Sequence, residues 1–192
     1  MTAASASCWS IWSGQRVSRA EPLLPWAPRP FKDEAFGGWL GRLAAAYAMS
    51  VEEFADYAGL SAELDCGRVN WLGLPKPGPG DCERLARLCR LPSSELPAAY
   101  EADAPACLAY CHRCLYLNPA DVTAPYWQAS WLAAAGGQHC GVHGRRYEQT
   151  CLSVLRGQRN MKRLLHVISR TRAARARAAA RQQWVLAGFV TR

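Results

Sequence analysis

No acidic residue follows Glu148 in this 192-residue chain. Residues 149–192 hold ten Lys/Arg, whereas residues 1–148 hold thirteen Lys/Arg and all fifteen Asp/Glu, a net of −2. The overall excess of +8 therefore belongs to the last segment. A block of that kind suits a polyanion, and nucleic acid is the commonest one in cytoplasm. The chain also lacks an apolar run long enough to span a bilayer, so no membrane partner is expected. Its N-terminus, MTAASASCWSIWSGQR, has no basic start leading into an apolar stretch, so no signal peptide is expected. Enzyme signatures are missing as well. No histidine is followed two residues on by glutamate, which removes the zinc deaminases. There is no HExxH pair and no GxxxxGK[ST] loop, so ATP hydrolysis has to come from a partner.

What is present is cysteine, nine of them, an odd count that fits a reducing compartment with a metal site better than a disulfide framework. Two short motifs stand out: Cys111-His-Arg-Cys114 and Cys140-Gly-Val-His143. Each places two ligands within one tight turn. Two such pairs, spaced C-x2-C-x25-C-x2-H, complete the tetrahedral shell of a structural zinc ion and leave no open position for substrate. The expected ligands are Cys111, Cys114, Cys140 and His143. Cys107, His112, His139 and Cys151 lie close by and offer a rival register. The plain alternative is a set of buried thiols and imidazoles with no metal. A Cys–His nucleophilic pair at Cys140 or His139 is the remaining catalytic reading, and ligation accounts for those residues more simply. Cys8, Cys66, Cys82 and Cys89 read as ordinary small hydrophobes. Tyr126, Trp127 and Trp131 supply apolar mass around the metal, too little to be secure alone. Bound zinc supplies on the order of 10 kcal/mol of folding free energy. One zinc per chain is expected, and chelation should melt residues 106–151.

The remaining chain divides by texture. Residues 1–22 are Ser/Ala-rich and read as a mobile arm, followed by a lead-in at Pro22, Pro25, Pro28 and Pro30. After Asp33, Phe36, Trp39, Leu40, Leu43, Ala44 and Tyr47 share one helical face. Ser50-Val-Glu-Glu53 is a capping box for a second helix with Val51, Phe54, Ala55 and Ala58 inward, ended by Gly59. Two short helices with a tight join are the skeleton of a helix-turn-helix. A short helical piece is expected near Val69–Leu72, a third helix capped by Asp81, and a fourth from Ser93 to near Tyr100. Leu43-Ala44, Met49 and Glu53-Phe54 recur 42 residues on as Leu85-Ala86, Leu91 and Glu95-Leu96. That echo fits a duplicated hairpin, or simply two capped amphipathic hairpins. From Arg156 the chain reads as one basic helix, since Ala and Arg both favour helix. Trp184, Val185, Leu186 and Phe189 form a small apolar cluster near its end. The predicted organisation is a flexible arm (1–22), a helix-turn-helix-like helical domain (23–104), a zinc-binding module (105–154) and a basic helical tail (155–192). The fold class is mainly α, with a zinc-stabilised α/loop module.

Taken together, the proline lead-in, DEAFGGWLGRLA, YCHRCL, YWQASWL and CGVHGRRYEQTC are similar to segments of the TniQ family of transposition proteins. The resemblance covers roughly Leu24 to Cys151. It implies a non-catalytic adaptor that links target-site recognition, in some members RNA-guided and beside a CRISPR effector complex, to an AAA+ ATPase that recruits the transposase. It carries the family's metal ligands onto Cys111, Cys114, Cys140 and His143, and its helix-turn-helix onto the stretch from Glu34 to Leu60, with the helices after Asp81 completing it. The chain departs from the family at His112 and Gly141, where proline is common. It departs again at Val154, which stands where a second finger beginning near Cys151 would need a ligand.

Glu52, Glu53 and Asp56 on the second helix would repel phosphates, which argues for protein docking there rather than base reading. The tail is the expected nucleic-acid contact (DNA or guide RNA), through Arg156, Arg159, Lys162, Arg163, Arg170, Arg172, Arg175, Arg177 and Arg181. Arginine pairs well with phosphate oxygens, and a solvated charged helix is the alternative. Deleting residues 156–192 is expected to abolish nonspecific binding and spare the zinc fold. The functional expectation is a cytoplasmic transposition adaptor. The alternative is a zinc-containing DNA-binding transcriptional regulator.

Overall fold

The computed structural model describes residues 23–60, 71–74, 77–97, 107–117, 124–134 and 137–190. The arm at 1–22 lies outside the described residues, as do Cys8 and Cys66. Among the described residues the fold is mainly helical with one two-stranded sheet. Helix α1 (Phe36–Ala46) buries nearly its whole N-terminal part, including Trp39, Leu40, Leu43 and Ala44. Its sequence, FGGWLG, is a poor helix by propensity, because each glycine costs about 1 kcal/mol. Packing accounts for the choice. A Cβ on Gly37 would lie 1.8 Å from the Trp71 carbonyl oxygen, and one on Gly41 would lie 2.3 Å from the Trp71 ring. The 3₁₀ turn Trp71–Gly73 can press against α1 only because those side chains are missing.

A short turn leads to α2 (Val51–Tyr57), whose capping box is fully formed. Ser50 Oγ accepts from the Glu53 amide at 3.1 Å, and the Ser50 amide donates to Glu53 Oε2 at 2.7 Å. Val51, Phe54, Ala55 and Ala58 are buried, while Glu52 and Asp56 face solvent. Helix α3 (Pro79–Cys89) starts ahead of Asp81. Gly78 is its cap and Pro79, with φ pre-set for the first turn, opens it. The helix expected from Ser93 is a single 3₁₀ turn, Ser93–Glu95, because Leu96 is extended before Pro97. Residues 98–100 lie outside the described residues.

Strand β1 (Cys107–Tyr110) pairs antiparallel with β2 (Glu148–Cys151), running from Cys107 opposite Cys151 to Tyr110 opposite Glu148. Helix α4 (His112–Leu117) follows β1 directly. After β2 come α5 (Leu152–Arg156) and α6 (Met161–Val190). The expected single basic helix is therefore interrupted. Gly157 closes α5, and Asn160 Oδ1 accepts from the Arg163 amide at 3.2 Å to start α6.

The interrupted segment is stitched to the helical half. The Val51 amide donates to the Arg159 carbonyl (2.8 Å), Trp71 Nε1 to the Gln158 carbonyl (2.7 Å), and Asn160 Nδ2 to the Met49 carbonyl (2.8 Å). One apolar core runs from Leu24 through Trp39, Leu85 and Trp127 to Ile168. Met161, Leu164 and Ile168 of α6 belong to it and α6 packs along α1, so deleting 156–192 would remove core residues as well as charge. A truncation that spares the core begins after Arg172. No helix among the described residues is long and apolar enough to cross a membrane.

Candidate metal centre

The sheet places the site. Because Tyr110 sits opposite Glu148, the residue leaving β1 and the residues entering β2 emerge at the same end. Cys111 leaves β1 there, and Cys114 lies in the first turn of α4, where the Leu115 amide donates to the Cys111 carbonyl at 2.9 Å. The second pair sits on a small hairpin. The Tyr147 amide donates to the Gln138 carbonyl (2.9 Å) and the Cys140 amide to the Arg145 carbonyl (2.8 Å). His139 and Arg146 bridge between these. Gly144, at φ +60°, turns the chain so that its amide reaches the Cys140 carbonyl at 2.7 Å.

Cys111, Cys114, Cys140 and His143 converge, with their ligand atoms all within 4.8 Å of one another. His143 presents Nδ1, which stands 3.6 Å from Cys111 Sγ, 3.2 Å from Cys114 Sγ and 3.7 Å from Cys140 Sγ; the Cys114 and Cys140 sulfurs are 3.6 Å apart. A tetrahedron with metal–sulfur bonds of about 2.3 Å has edges of roughly 3.8 Å, so the donor set fits a zinc-sized ion. The three cysteines are buried and His143 is half-buried. None of the three forms a disulfide. Burial pushes the Cys114 thiol up, with Cys140 and Cys111 adding to the effect. Burial also pushes on Cys140, but the His143 amide and ring, the Val142 amide and the Cys111 thiol outweigh it and bring Cys140 down to about 7. A cation that takes all three as thiolates relieves their mutual repulsion.

The neighbouring candidates go elsewhere. Cys107 and Cys151 face each other at the far end of the sheet, exposed and with no disulfide between them. Ser153 Oγ donates to Cys151 Sγ at 3.1 Å. His112 packs against the Tyr116 ring at 4.7 Å, and burial, then the Arg172 charge, lowers its pKa. Cys82 and Cys89 are buried in the core, where burial lifts the Cys89 thiol to about 12.

Aromatic residues lock the centre to the helical half. Trp127 packs edge-on against Trp131 (5.4 Å) and tilted against Tyr110 (5.5 Å). The backbone around Trp127 and Ala129 pairs with Asp33–Ala35 ahead of α1: the Ala35 amide donates to the Trp127 carbonyl and the Ala129 amide to the Asp33 carbonyl, both at 2.8 Å. Tyr116 Oη reaches the Leu165 carbonyl and Ser169 Oγ, each at 2.8 Å, which fastens α4 to α6.

The basic residues divide into two groups. At 100° per residue, Lys162, Arg163, Arg170, Arg177 and Arg181 fall within an arc of about 100° on α6, opposite Met161, Leu164 and Ile168. All five are exposed. Arg159 and Arg172 are committed to carboxylates, at 2.6 Å to Glu53 and 2.7 Å to Glu148. Arg175 is exposed on another face of α6, and the side chain of Arg156 lies outside the described residues. Trp184 and Val185 are exposed. Sequence reasoning passed over Arg113, Arg145 and Arg146, which gather beside the knuckles; the RR pair directly after His143-Gly144 was the available signal.

No curated protein and no solved structure matches this chain. The TniQ family model matches residues 25–147, from the proline lead-in through both knuckles, and the chain belongs to that family of transposition-associated proteins.

Proposed function

We propose that this chain is a non-catalytic adaptor of DNA transposition that acts by binding alone in the cytoplasm. One face meets an AAA+ ATPase that recruits the transposase; another meets nucleic acid, either target DNA or a guide RNA carried by a CRISPR effector. The observation that carries the reading is the family match across 25–147. Cys111, Cys114, Cys140 and His143 would hold a zinc ion. Bound there, zinc supplies a closed structural shell rather than a Lewis-acid centre, which agrees with a protein that performs no chemistry.

The exposed acidic face of α2, with Glu52 and Asp56, supports protein docking on the helix-turn-helix-like half. Phosphates would be repelled from it, which also weighs against a promoter-reading regulator. The exposed basic arc of α6 supports the nucleic-acid face. Co-purification of the zinc-loaded full chain with an AAA+ ATPase of a transposition system is the direct test. A stable complex is expected, and Glu52→Lys with Asp56→Lys should weaken it. A zinc-loaded, folded chain that captures no ATPase, with or without nucleic acid, would overturn the adaptor reading.

A further inference from the structure

Beside the knuckles lies a cavity of about 220 Å³ walled by Arg113, Arg145, Arg146 and Arg172. Its single carboxylate, Glu148, is already engaged by Arg172 through Nε at 2.7 and 2.9 Å. Among the described residues, Arg113, Arg145 and Arg146 form no ion pair with a carboxylate. All three are exposed. Four guanidinium groups facing one paired carboxylate leave a local excess of three positive charges. A zinc ion with three thiolates and a neutral imidazole would carry one negative charge and offset only part of that excess.

We infer that this cavity is a phosphate-binding site for a single nucleic-acid strand, separate from the basic arc of α6. Three observations favour that occupant. Guanidinium forks match phosphate oxygens in pairs, and here several converge on one space. The cavity has room for one phosphodiester group and part of its sugar, and a single strand can offer these with its base free to turn toward the wall. Its wall also includes the half-buried His112 ring, tilted 36° against the Tyr116 ring, and exposed Leu117, so aromatic and apolar surface for a base lies next to the charge. Arg172 enters from the side of α6 away from Lys162, Arg163, Arg170, Arg177 and Arg181, so the two basic regions face different directions. The inference rests on the nucleic-acid half of the proposed function and places a contact the tail reading does not contain.

The test compares two variants of the zinc-loaded full chain: Arg113→Ala/Arg145→Ala/Arg146→Ala and Arg170→Ala/Arg177→Ala/Arg181→Ala. Binding of a labelled 20-nucleotide RNA, the same DNA strand and a DNA duplex is followed against salt. Zinc content and melting temperature serve as fold controls. The cavity variant is expected to lose about tenfold or more in single-strand affinity, with a salt slope shallower by about 2. Duplex binding should fall more in the arc variant. The RNA and DNA strands separate a guide from a displaced target strand. Lysine in place of each cavity arginine should restore the slope but only part of the affinity. Single-strand binding unchanged in a folded cavity variant overturns the inference even if the arc variant loses binding. Loss only in the cavity variant upholds it and overturns the tail reading. Loss in neither overturns both. If the cavity variant fails to load zinc, crosslinking of a 4-thiouridine strand to the unaltered chain decides: crosslinks at residues 111–117, at 145–148 or at Arg172 uphold the site, and crosslinks confined to the arc of Lys162, Arg163, Arg170, Arg177 and Arg181 overturn it.

Discussion

Between Leu24 and Leu96 the chain buries Trp39, Phe54, Leu72 and Leu85 completely, and large apolar side chains hold that region together. Between Cys107 and Cys151 it also buries Trp127 and Leu115, but its two knuckles converge on three sulfurs and one imidazole nitrogen. The first region has a conventional hydrophobic interior. The second closes two turns that carry little apolar mass of their own, so its integrity is expected to follow metal occupancy. The difference teaches that two parts of one continuous core can depend on different chemistry.

The strongest way to break that comparison is Cys114→Ser. It should abolish the single zinc and release the knuckles, at a cost on the order of 10 kcal/mol of local stability. Elemental analysis reads the first effect and hydrogen exchange over 107–117 and 137–151 the second. Protection equal to that of the unaltered chain would show that the metal holds nothing. Next comes Phe54→Ala, which removes a fully buried ring and should cost about 3–5 kcal/mol in denaturant melts. Zinc stoichiometry should stay at one, so loss of metal in this variant would tie the two regions into a single unit.

Ser50→Ala tests a smaller contribution, about 1 kcal/mol from the lost cap. The Ser50 amide, then its hydroxyl, holds the Glu53 carboxyl below its ordinary range. A carboxyl lowered on folding stabilises above its unfolded value of 4.5 and loses that contribution as pH falls through the folded value. Stability of the unaltered chain should therefore drop as pH falls below 4.5. Glu53→Gln should flatten that part of the profile, and superimposable profiles would remove Glu53 from the account. The smallest effect is expected from Cys107→Ser with Cys151→Ser. Both residues sit at the far end of the sheet, so metal content should not change. A lost zinc would move the ligand register to the rival set.

Legibility followed the strength of local signals. Ser50 and Glu53 announce α2 because a capping box is written in four consecutive residues. The 42-residue echo has a structural counterpart at the turns. Ala48 and Arg90 both adopt left-handed backbone, at φ 57° and 56°. The Met49 amide then reaches the Ala44 carbonyl at 2.9 Å, as the Leu91 amide reaches Ala86. Beyond that turn the likeness fades, because Pro92 stands where Ser50 caps. The β1–β2 pairing escaped notice since four residues are too few for an alternating pattern. The close seat of Trp71 on Gly37 and Gly41 joins distant positions and left no local trace. The break at Gly157–Asn160 hid inside a stretch of good helix formers. Cys111, Cys114, Cys140 and His143 were nameable from spacing, whereas Arg113, Arg145 and Arg146 became a group only when the chain folded.

The Tyr116 hydroxyl joins the first knuckle's helix to the N-terminal third of α6. Beyond Arg172 the residues of α6 through Val185 are exposed, so the direction of that rod is set where it is clamped. Were a metal held at the knuckles, taking it away would therefore be felt far from the ion itself. The rod would keep its packing along α1, but its outer end would lose one of the clamps that set its aim.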